Sequence, residues 1–128
     1  MHTAFQVVLA FTTLALISCA TGNSPAKNKL AGKWRSAQGP QAAEYVFAPD
    51  GTFRGRVTAG SSVLSDFTGK WSLREGVLFY EYTGDRLGRI PTGTLDQDKI
   101  IAIAQDFYLI EARDGSKRKY VRVPLEQS

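Results

Sequence analysis

Few side chains in this sequence could carry out nucleophilic or acid–base chemistry. One of its 128 residues is a histidine, His2, and one is a cysteine, Cys19. Both lie within the first 19 residues. Removal of residues 1–18 would leave no histidine, which excludes Ser-His-Asp catalysis, Cys-His catalysis and histidine-containing zinc sites. Carboxylate, lysine and tyrosine chemistry remain.

Two carboxylates, Asp66 and Glu81, lie in segments with strand-like patterns. A carboxylate pair at a suitable separation can hydrolyse a glycosidic bond, but nothing in the sequence places these two opposite each other, and solvated strand residues are the simpler interpretation. Asp96, Asp98 and Asp106 lack the spacing of a calcium loop, and the glycines lack the lysine and following helix of a phosphate-binding loop. We therefore predict a protein that is not an enzyme and needs no metal or cofactor.

The positive charge is concentrated near the carboxyl end. The formal net charge is +4, and residues 1–18 contain no Lys, Arg, Asp or Glu. A solvated turn would explain this concentration. Contact with anionic lipid or polysaccharide is the alternative, because each surface cation near such a layer contributes about 1 kcal/mol. Nucleic acid is not an expected partner of an exported protein. The cluster comprises Arg113, Lys117, Arg118, Lys119 and Arg122.

The amino-terminal segment carries the most specific pattern. Residues 4–17 are uncharged and largely apolar, and about 14 such residues fit an export signal better than a membrane span, which needs ~20. They end in Leu16-Ile17-Ser18-Cys19, which resembles the lipobox of bacterial lipoproteins. The resemblance implies acylation of the Cys19 thiol by palmitate-type chains and cleavage before it. With Ala20 next, it implies an outer-membrane anchor facing the periplasm. An ordinary secretory signal cut nearby and an uncleaved membrane anchor are the alternatives.

The chain is therefore predicted to have three parts. Residues 1–18 form the signal peptide of the lipoprotein. Residues 19–29 contain the lipidated cysteine and a flexible tether, because they are small, polar and turn-prone. Residues 30–128 form one β domain, in which strand-like runs recur and Gly or Asp-Gly marks most breaks without sustained helical periodicity.

The β domain is predicted to contain eight or nine antiparallel strands. The first is Lys33–Ala37 and the last is Arg118–Val123. The clearest hairpin is centred on Pro49-Asp50-Gly51, where proline and glycine suit a turn. Residues 84–98 are predicted to be an irregular loop around a short strand near Thr94-Leu95. Consecutive hairpins with short connections favour an up-and-down meander, which could close into a barrel and so lose its exposed edges.

Short motifs repeat within the domain and resemble those of a known family. Gly32-Lys33-Trp34 recurs as Gly69-Lys70-Trp71. A structural role is favoured for both, since glycine permits bending and a buried tryptophan N–H needs a partner. With Asp50-Gly51-Thr52-Phe53 and Tyr120-Val121-Arg122, the motifs resemble the small bacterial lipocalin-like domains over most of residues 30–123. The resemblance implies a compact all-β up-and-down barrel of about eight strands and no particular activity; a barrel of about 95 residues can be filled by its own side chains.

Two functions fit this sequence. In the first, the domain is a membrane-tethered, non-catalytic module that binds a small apolar or amphipathic ligand in the barrel mouth, with Trp34, Trp71, Tyr80 and Tyr82 as candidate contacts. In the second, the barrel is filled and acts as a protein-interaction module, either an inhibitor of an envelope enzyme or a structural partner. Its contacts would be residues 84–93 or the face shared by Tyr80 and Tyr82, which lie opposite Phe79 in a strand. Cavity size distinguishes the two.

Overall fold

A short helix followed by eight strands makes up the part of the chain that the computed structural model describes, residues 25–124. The predicted signal peptide, Cys19 and residues 20–24 of the predicted tether lie outside this range. No helix among the described residues is long and apolar enough to cross a membrane. The elements are α1 (Pro25–Leu30), β1 (Gly32–Gln38), β2 (Gln41–Phe47), β3 (Thr52–Ala59), β4 (Ser62–Arg74), β5 (Val77–Asp85), β6 (Leu95–Ile103), β7 (Phe107–Glu111) and β8 (Lys117–Val123).

The strands close into a barrel. Each strand pairs antiparallel with the next one in the chain, and β1 also pairs with β8. The closing pairs include Lys33 with Val123 and Arg35 with Val121. Closure leaves no strand with an unpaired edge. The predicted all-β, up-and-down barrel of eight strands is therefore confirmed.

Local turn chemistry explains why the strands end where they do. Between β2 and β3, Asp50 Oδ1 accepts hydrogen bonds from the Thr52 N–H at 3.0 Å and the Thr52 hydroxyl at 2.7 Å. Gly51 follows with a φ of 92°, a backbone conformation that glycine adopts without steric cost. The hairpin at Pro49-Asp50-Gly51 lies where the sequence predicts it.

Two interior glycines let the strands bend around large rings. A Cβ atom on Gly55 would lie 2.7 Å from the ring of Tyr45, and one on Gly69 would lie 2.5 Å from the ring of Phe53. Glycine is needed at both positions because aromatic rings occupy the space of a side chain. A β-bulge between Thr68 and Gly69 adds a local bend. The buried core comprises Leu30, Trp34, Phe47, Phe53, Phe67, Trp71, Leu78, Tyr80, Tyr82, Tyr108, Ile110 and Tyr120.

Two parts of the predicted layout differ from the structure. Residues 25–29, predicted to be flexible tether, belong to helix α1, which ends at the fully buried Leu30. The helix forms because proline suits its first position and a buried leucine secures its last. The short strand predicted near Thr94-Leu95 is not separate, since Leu95 begins β6, which continues to Ile103.

Candidate functional site

The barrel has two chemically different ends. Helix α1 leads into β1 at one end, together with the turns that join β2 to β3, β4 to β5 and β6 to β7. We call this the helix end. The opposite end, which we call the mouth, carries the connections β1–β2, β3–β4, β5–β6 and β7–β8.

Both tryptophans are buried towards the helix end, and both indole N–H groups have partners. Trp34 Nε1 donates to the carbonyl oxygen of Leu30 at 2.8 Å. Trp71 Nε1 donates to the carbonyl oxygen of Ala48 at 3.0 Å. Because each N–H is satisfied by the backbone, the indoles have the structural role that the repeated motif favours.

Arg122 covers the Trp34 ring at the helix end and links neighbouring segments of the chain there. Its guanidinium lies over the Trp34 ring, 4.2 Å from the ring centroid. It donates to the carbonyl oxygens of Lys29 at 2.6 Å, Ala31 at 3.1 Å and Gln105 at 2.7 Å. These bonds connect α1 to the β6–β7 turn. Arg122, which the sequence groups with a solvated basic cluster, is thus part of the structure that covers this end.

All five tyrosines of the chain contribute to the barrel interior. Four are buried, and Tyr45, nearer the mouth, is partly exposed. Tyr45 is surrounded by rings, including Phe67 at 5.7 Å and Tyr120 at 5.6 Å between centroids. Alternation along each strand places these tyrosines on one face of the sheet. The sequence does not show that this face is the interior one, so the cluster becomes visible only in the folded barrel. The tyrosines are Tyr45, Tyr80, Tyr82, Tyr108 and Tyr120.

The phenol groups of these tyrosines differ in their hydrogen bonding. Tyr80 donates to Asp98 Oδ2 at 2.8 Å. Tyr108 stacks on Tyr120 with centroids 4.8 Å apart and planes 8° apart. The buried Tyr108 hydroxyl has no hydrogen-bond partner among the described atoms. An unsatisfied buried hydroxyl costs about 1–3 kcal/mol.

Burial controls the ionisation of the interior. It raises the pKa of Tyr45, Tyr80 and Tyr108 well above the usual value, so these phenols remain protonated and can donate hydrogen bonds. Burial also raises the pKa of Asp98, against the hydrogen bond from Tyr80, which lowers it. For Arg118, burial opposes the charged form, but a hydrogen bond with Tyr120 contributes to a raised pKa. The barrel therefore offers neutral O–H donors beside Arg118, whose side chain is exposed at the mouth.

A pocket of about 170 Å³ opens at the mouth. It lies between β1, β2, β3 and β8, and its lining contains one charged side chain, that of Arg118. Among the described residues, no carboxylate lies within ion-pair distance of Arg118. The two ion pairs within residues 25–124 both involve Asp66. The lining residues are Ser36, Gln38, Gln41, Ala42, Ala43, Tyr45, Val57, Arg118 and Tyr120.

Two solved structures of proteins from Bacteroides uniformis ATCC 8492 are similar to this chain. One is the crystal structure of a lipocalin-like protein, which is 20% identical with a TM-score of 0.55; the match covers 74% of this chain and 99% of that one. The fold is that of a lipocalin-like barrel. The other, an NMR structure, is 20% identical with a TM-score of 0.54, and the match covers 75% of this chain and 90% of that one. No protein-family model and no curated protein matches the sequence.

The lipocalin-like barrel places the predicted contact residues away from the mouth pocket. Trp34 and Trp71 lie towards the helix end and do not line the mouth pocket, although Trp71 lines the groove across β4, β5 and β6, so their contact with a ligand stays a prediction. Tyr80 and Tyr82 are inside the barrel with 4% and 7% of their surface exposed, so they cannot form an exposed interaction face. The residues that do line the pocket include Arg118 and others that sequence reasoning assigned to turns or ordinary strands.

The carboxylates considered for catalysis and metal binding are not brought together. Asp66 accepts hydrogen bonds from Arg56 at 3.3 Å and from Arg86 at 2.8 Å. Glu81 is paired in register with Lys70, four positions along β4 from Asp66. Within residues 25–124, no group of three or more His, Cys, Asp or Glu side chains could hold a metal ion.

The Asp85 carboxylate accepts several of the hydrogen bonds that hold the loop between β5 and β6, residues 86–94. Partial burial would raise the pKa of Asp85, but hydrogen bonds from its neighbours lower it to about 2. Ile90 of this loop packs against the core. The loop is therefore attached to the barrel both by hydrogen bonds and by apolar packing. The groups that donate to Asp85 are the Ser65 hydroxyl at 2.8 Å and the backbone N–H groups of Asp66, Leu87, Arg89 and Ile90 at 3.0–3.1 Å.

A second concave surface lies across β4, β5 and β6. It is a groove of about 460 Å³ whose lining includes Phe79, Leu95 and Arg113. Leu95 is 70% exposed, the most exposed of the large hydrophobic residues described. Arg74 lies over the Phe79 ring, 4.6 Å from its centroid. This groove combines apolar area with positive charge, which is a composition found at interfaces between proteins.

Proposed function

We propose that this protein is an exported lipoprotein whose lipocalin-like barrel binds a small amphipathic ligand at the mouth, without catalysis. Anchoring would occur through Cys19 at the outer membrane, facing the periplasm. The observation that carries the proposal is the mouth pocket, in which Ala42, Ala43 and Val57 lie beside hydroxyl, amide and phenol groups and one arginine. Concave sites that bring apolar surface and convergent polar groups together are typical of small-molecule binding.

The energetics of the interior support a binding role. Polar groups in a barrel of this size cost free energy unless they have partners. Phenylalanine at the same positions would keep the ring and remove the hydroxyl that needs a partner. The tyrosines next to the pocket, Tyr45 and Tyr120, instead place hydroxyl groups where a ligand could reach them.

The ends of the barrel fit a tethered arrangement. Helix α1 precedes β1 at the helix end, so a chain anchored at Cys19 would reach the barrel from that side. The mouth would then open away from the membrane. A ligand could enter from the periplasm without passing between the barrel and the lipid surface.

The binding proposal is tested by the mass of the native domain. The closed barrel and its helix lie within residues 25–124, so a chain of residues 20–128 contains the whole described fold. We expect this chain, purified from the native envelope and measured intact without denaturation, to carry a stoichiometric extra mass of a few hundred daltons. Ala43→Phe, which would fill the pocket, should abolish the extra mass. Val121→Phe, an equally large addition on the exterior, should retain it.

The opposite result has a clear meaning. A bare mass for the unaltered chain, or an extra mass that Ala43→Phe leaves unchanged, would contradict binding at the mouth. An extra mass equal to that of a second polypeptide would favour the other candidate function, a protein-interaction module.

The lipid anchor is tested separately. We expect the full chain to incorporate a labelled palmitate analogue and to sediment with membranes, and Cys19→Ser to abolish both. Unlabelled, soluble full-length chain would contradict the anchor while leaving the binding proposal intact.

The protein-interaction module is the second candidate because of the groove that contains Leu95. Its partner would be an envelope enzyme or a structural protein. If this function holds, Leu95→Glu should abolish cross-linking to the partner in envelope preparations. Leu87→Glu, which changes a 44% exposed leucine in the β5–β6 loop, serves as the matched control and should have little effect.

A further inference from the structure

The position of Arg118 distinguishes it from the other arginines described above. It is paired in register with Ile110, whose side chain is buried, so Arg118 faces inwards near the mouth end of β8. Arg56 and Arg86 pair with Asp66, and Arg122 donates to three carbonyl oxygens. Arg118 forms no ion pair within the described residues, and the neighbouring Tyr120 phenol contributes to the raised pKa of its guanidinium.

The surroundings of Arg118 favour a negatively charged guest. The other lining residues of the mouth pocket are uncharged. Two acids act on Arg118 electrostatically, and neither is part of the lining: Asp98, which already accepts the Tyr80 phenol, and Asp114 in the β7–β8 turn, which accepts from Ser116. Guanidinium groups bind carboxylates and phosphates in a planar, bidentate geometry. The guanidinium N–H groups of Arg118 are therefore not engaged in an ion pair with any carboxylate among the described residues.

Neutral donors beside Arg118 would complete such a site. Tyr45 and Tyr120 line the pocket, and burial raises the pKa of both phenols, so each keeps its proton. A protonated phenol donates to an oxyanion and does not repel it. Ser36 adds a third hydroxyl in the same lining.

The pocket volume limits how much of a ligand is enclosed. About 170 Å³ corresponds to the liquid volume of roughly six water molecules. That space holds a carboxylate or phosphate group and a few carbons, which would contact Ala43 and Val57. A longer apolar tail would extend through the mouth.

We propose that the mouth pocket binds the oxyanion head group of an amphipathic ligand, with Arg118 as the charged contact and the Tyr120 and Tyr45 phenols as additional donors. This inference rests on the proposed binding function and names the class of its ligand. Carboxylate and phosphate head groups share the required chemistry. The experiment below distinguishes them.

The test measures binding of three probes with the same tail to the chain of residues 20–128 by titration calorimetry. The probes are octanoate, octyl phosphate and octanol, each below its micelle concentration. We expect at least one anion to bind about tenfold more tightly than octanol, since charge-assisted hydrogen bonds exceed neutral ones. Tighter binding of octanoate identifies a carboxylate site, and tighter binding of octyl phosphate identifies a phosphate site.

The matched variants change two adjacent residues of β8, one on the inward side of the strand and one on the outward side. Arg118→Gln should weaken anion binding about tenfold and leave octanol binding unchanged. Lys119→Gln removes the same charge on the exterior, where the ammonium lies over Phe107 at 4.8 Å, and should change anion binding less than twofold. Arg118→Lys should retain part of the preference for anions.

Three outcomes overturn the inference. Equal binding of octanol and both anions would reject the oxyanion site but keep the binding module. Equal losses in Arg118→Gln and Lys119→Gln would show a diffuse effect of net charge. No binding by any probe would reject the oxyanion site, whereas the proposed function is rejected separately, by a bare native mass or by an extra mass that Ala43→Phe leaves unchanged.

Discussion

At the scale of single residues, the Tyr108 hydroxyl is the one buried side-chain polar atom within residues 25–124 that has no hydrogen-bond partner. The Tyr108 phenol is fully buried, while the Tyr80 phenol donates to Asp98. The two tyrosines therefore have opposite expected effects when the hydroxyl is removed. Replacing an unsatisfied group relieves a desolvation cost, whereas removing a bonded one leaves its partner unsatisfied.

We predict that Tyr108→Phe raises the free energy of unfolding by about 1 kcal/mol, because it removes an unpaired buried hydroxyl while keeping the ring stack on Tyr120. Tyr80→Phe is the matched variant and should lower the free energy by a similar amount. Urea denaturation of the chain of residues 20–128 measures both. If Tyr108→Phe is as destabilising as Tyr80→Phe, the Tyr108 hydroxyl has a partner such as a bound water.

Residue identities also show what could be predicted from the sequence. Alternation correctly places Tyr80 and Tyr82 on one face of β5 and Phe79 on the other. It does not say which face is interior, since both carry aromatic rings. The sequence does not distinguish Arg122 from Lys119, because the three carbonyl partners of Arg122 come from α1, the residue after it and the β6–β7 turn, which only the fold brings together.

At the scale of elements, local chemistry specifies the hairpins. The Asp50 hydrogen bonds and the positive φ of Gly51 act within a few residues, so the β2–β3 turn can be predicted from its sequence. The extent of β6 cannot be predicted from its sequence, because pairing with β5 and β7 extends the strand from Leu95 to Ile103. Helix α1 is missed for the same reason, since burial of Leu30 stabilises a segment that looks like a linker.

The β5–β6 loop provides a prediction about acid stability. The folded pKa of Asp85 is about 2, below its usual 3.8. A depressed carboxylate pKa contributes stability above the unfolded value and loses it as the pH falls through the folded value. We predict that Asp85→Asn lowers the urea midpoint at pH 7, and that the difference from the unaltered chain shrinks as the pH falls from about 4 to about 2.

The control for that prediction is Asp106→Asn, which removes an exposed carboxylate in the β6–β7 turn. It should shift the midpoint little at either pH. An Asp85→Asn deficit that stays constant down to pH 2 would contradict a role for the ionised carboxylate in fixing the loop.

At the scale of the whole molecule, Arg122 and Leu30 attach the helix to the barrel. We predict that Arg122→Gln increases amide hydrogen exchange in residues 27–31 and leaves exchange in β3 and β4 unchanged, because the lost bonds join α1 to the barrel and do not hold the sheet. Exchange measured by mass spectrometry on the chain of residues 20–128 tests this.

Lys117→Gln removes an equal charge at the opposite end of β8 and is the control. It should leave exchange in residues 27–31 unaltered. Uniformly faster exchange across the barrel in Arg122→Gln would instead show that this arginine supports the global fold.

The pairing of β1 with β8 has a consequence for the timing of folding. These strands are the first and last of the barrel, and contacts so distant in the chain form slowly because a long loop must close. A chain that is synthesised from its amino terminus cannot close the barrel until Val123 is available to pair with Lys33. Until then both edge strands are open to pairing with other chains. Shielding of nascent chains during that interval would therefore determine the yield of folded protein more than the stability of the finished barrel does.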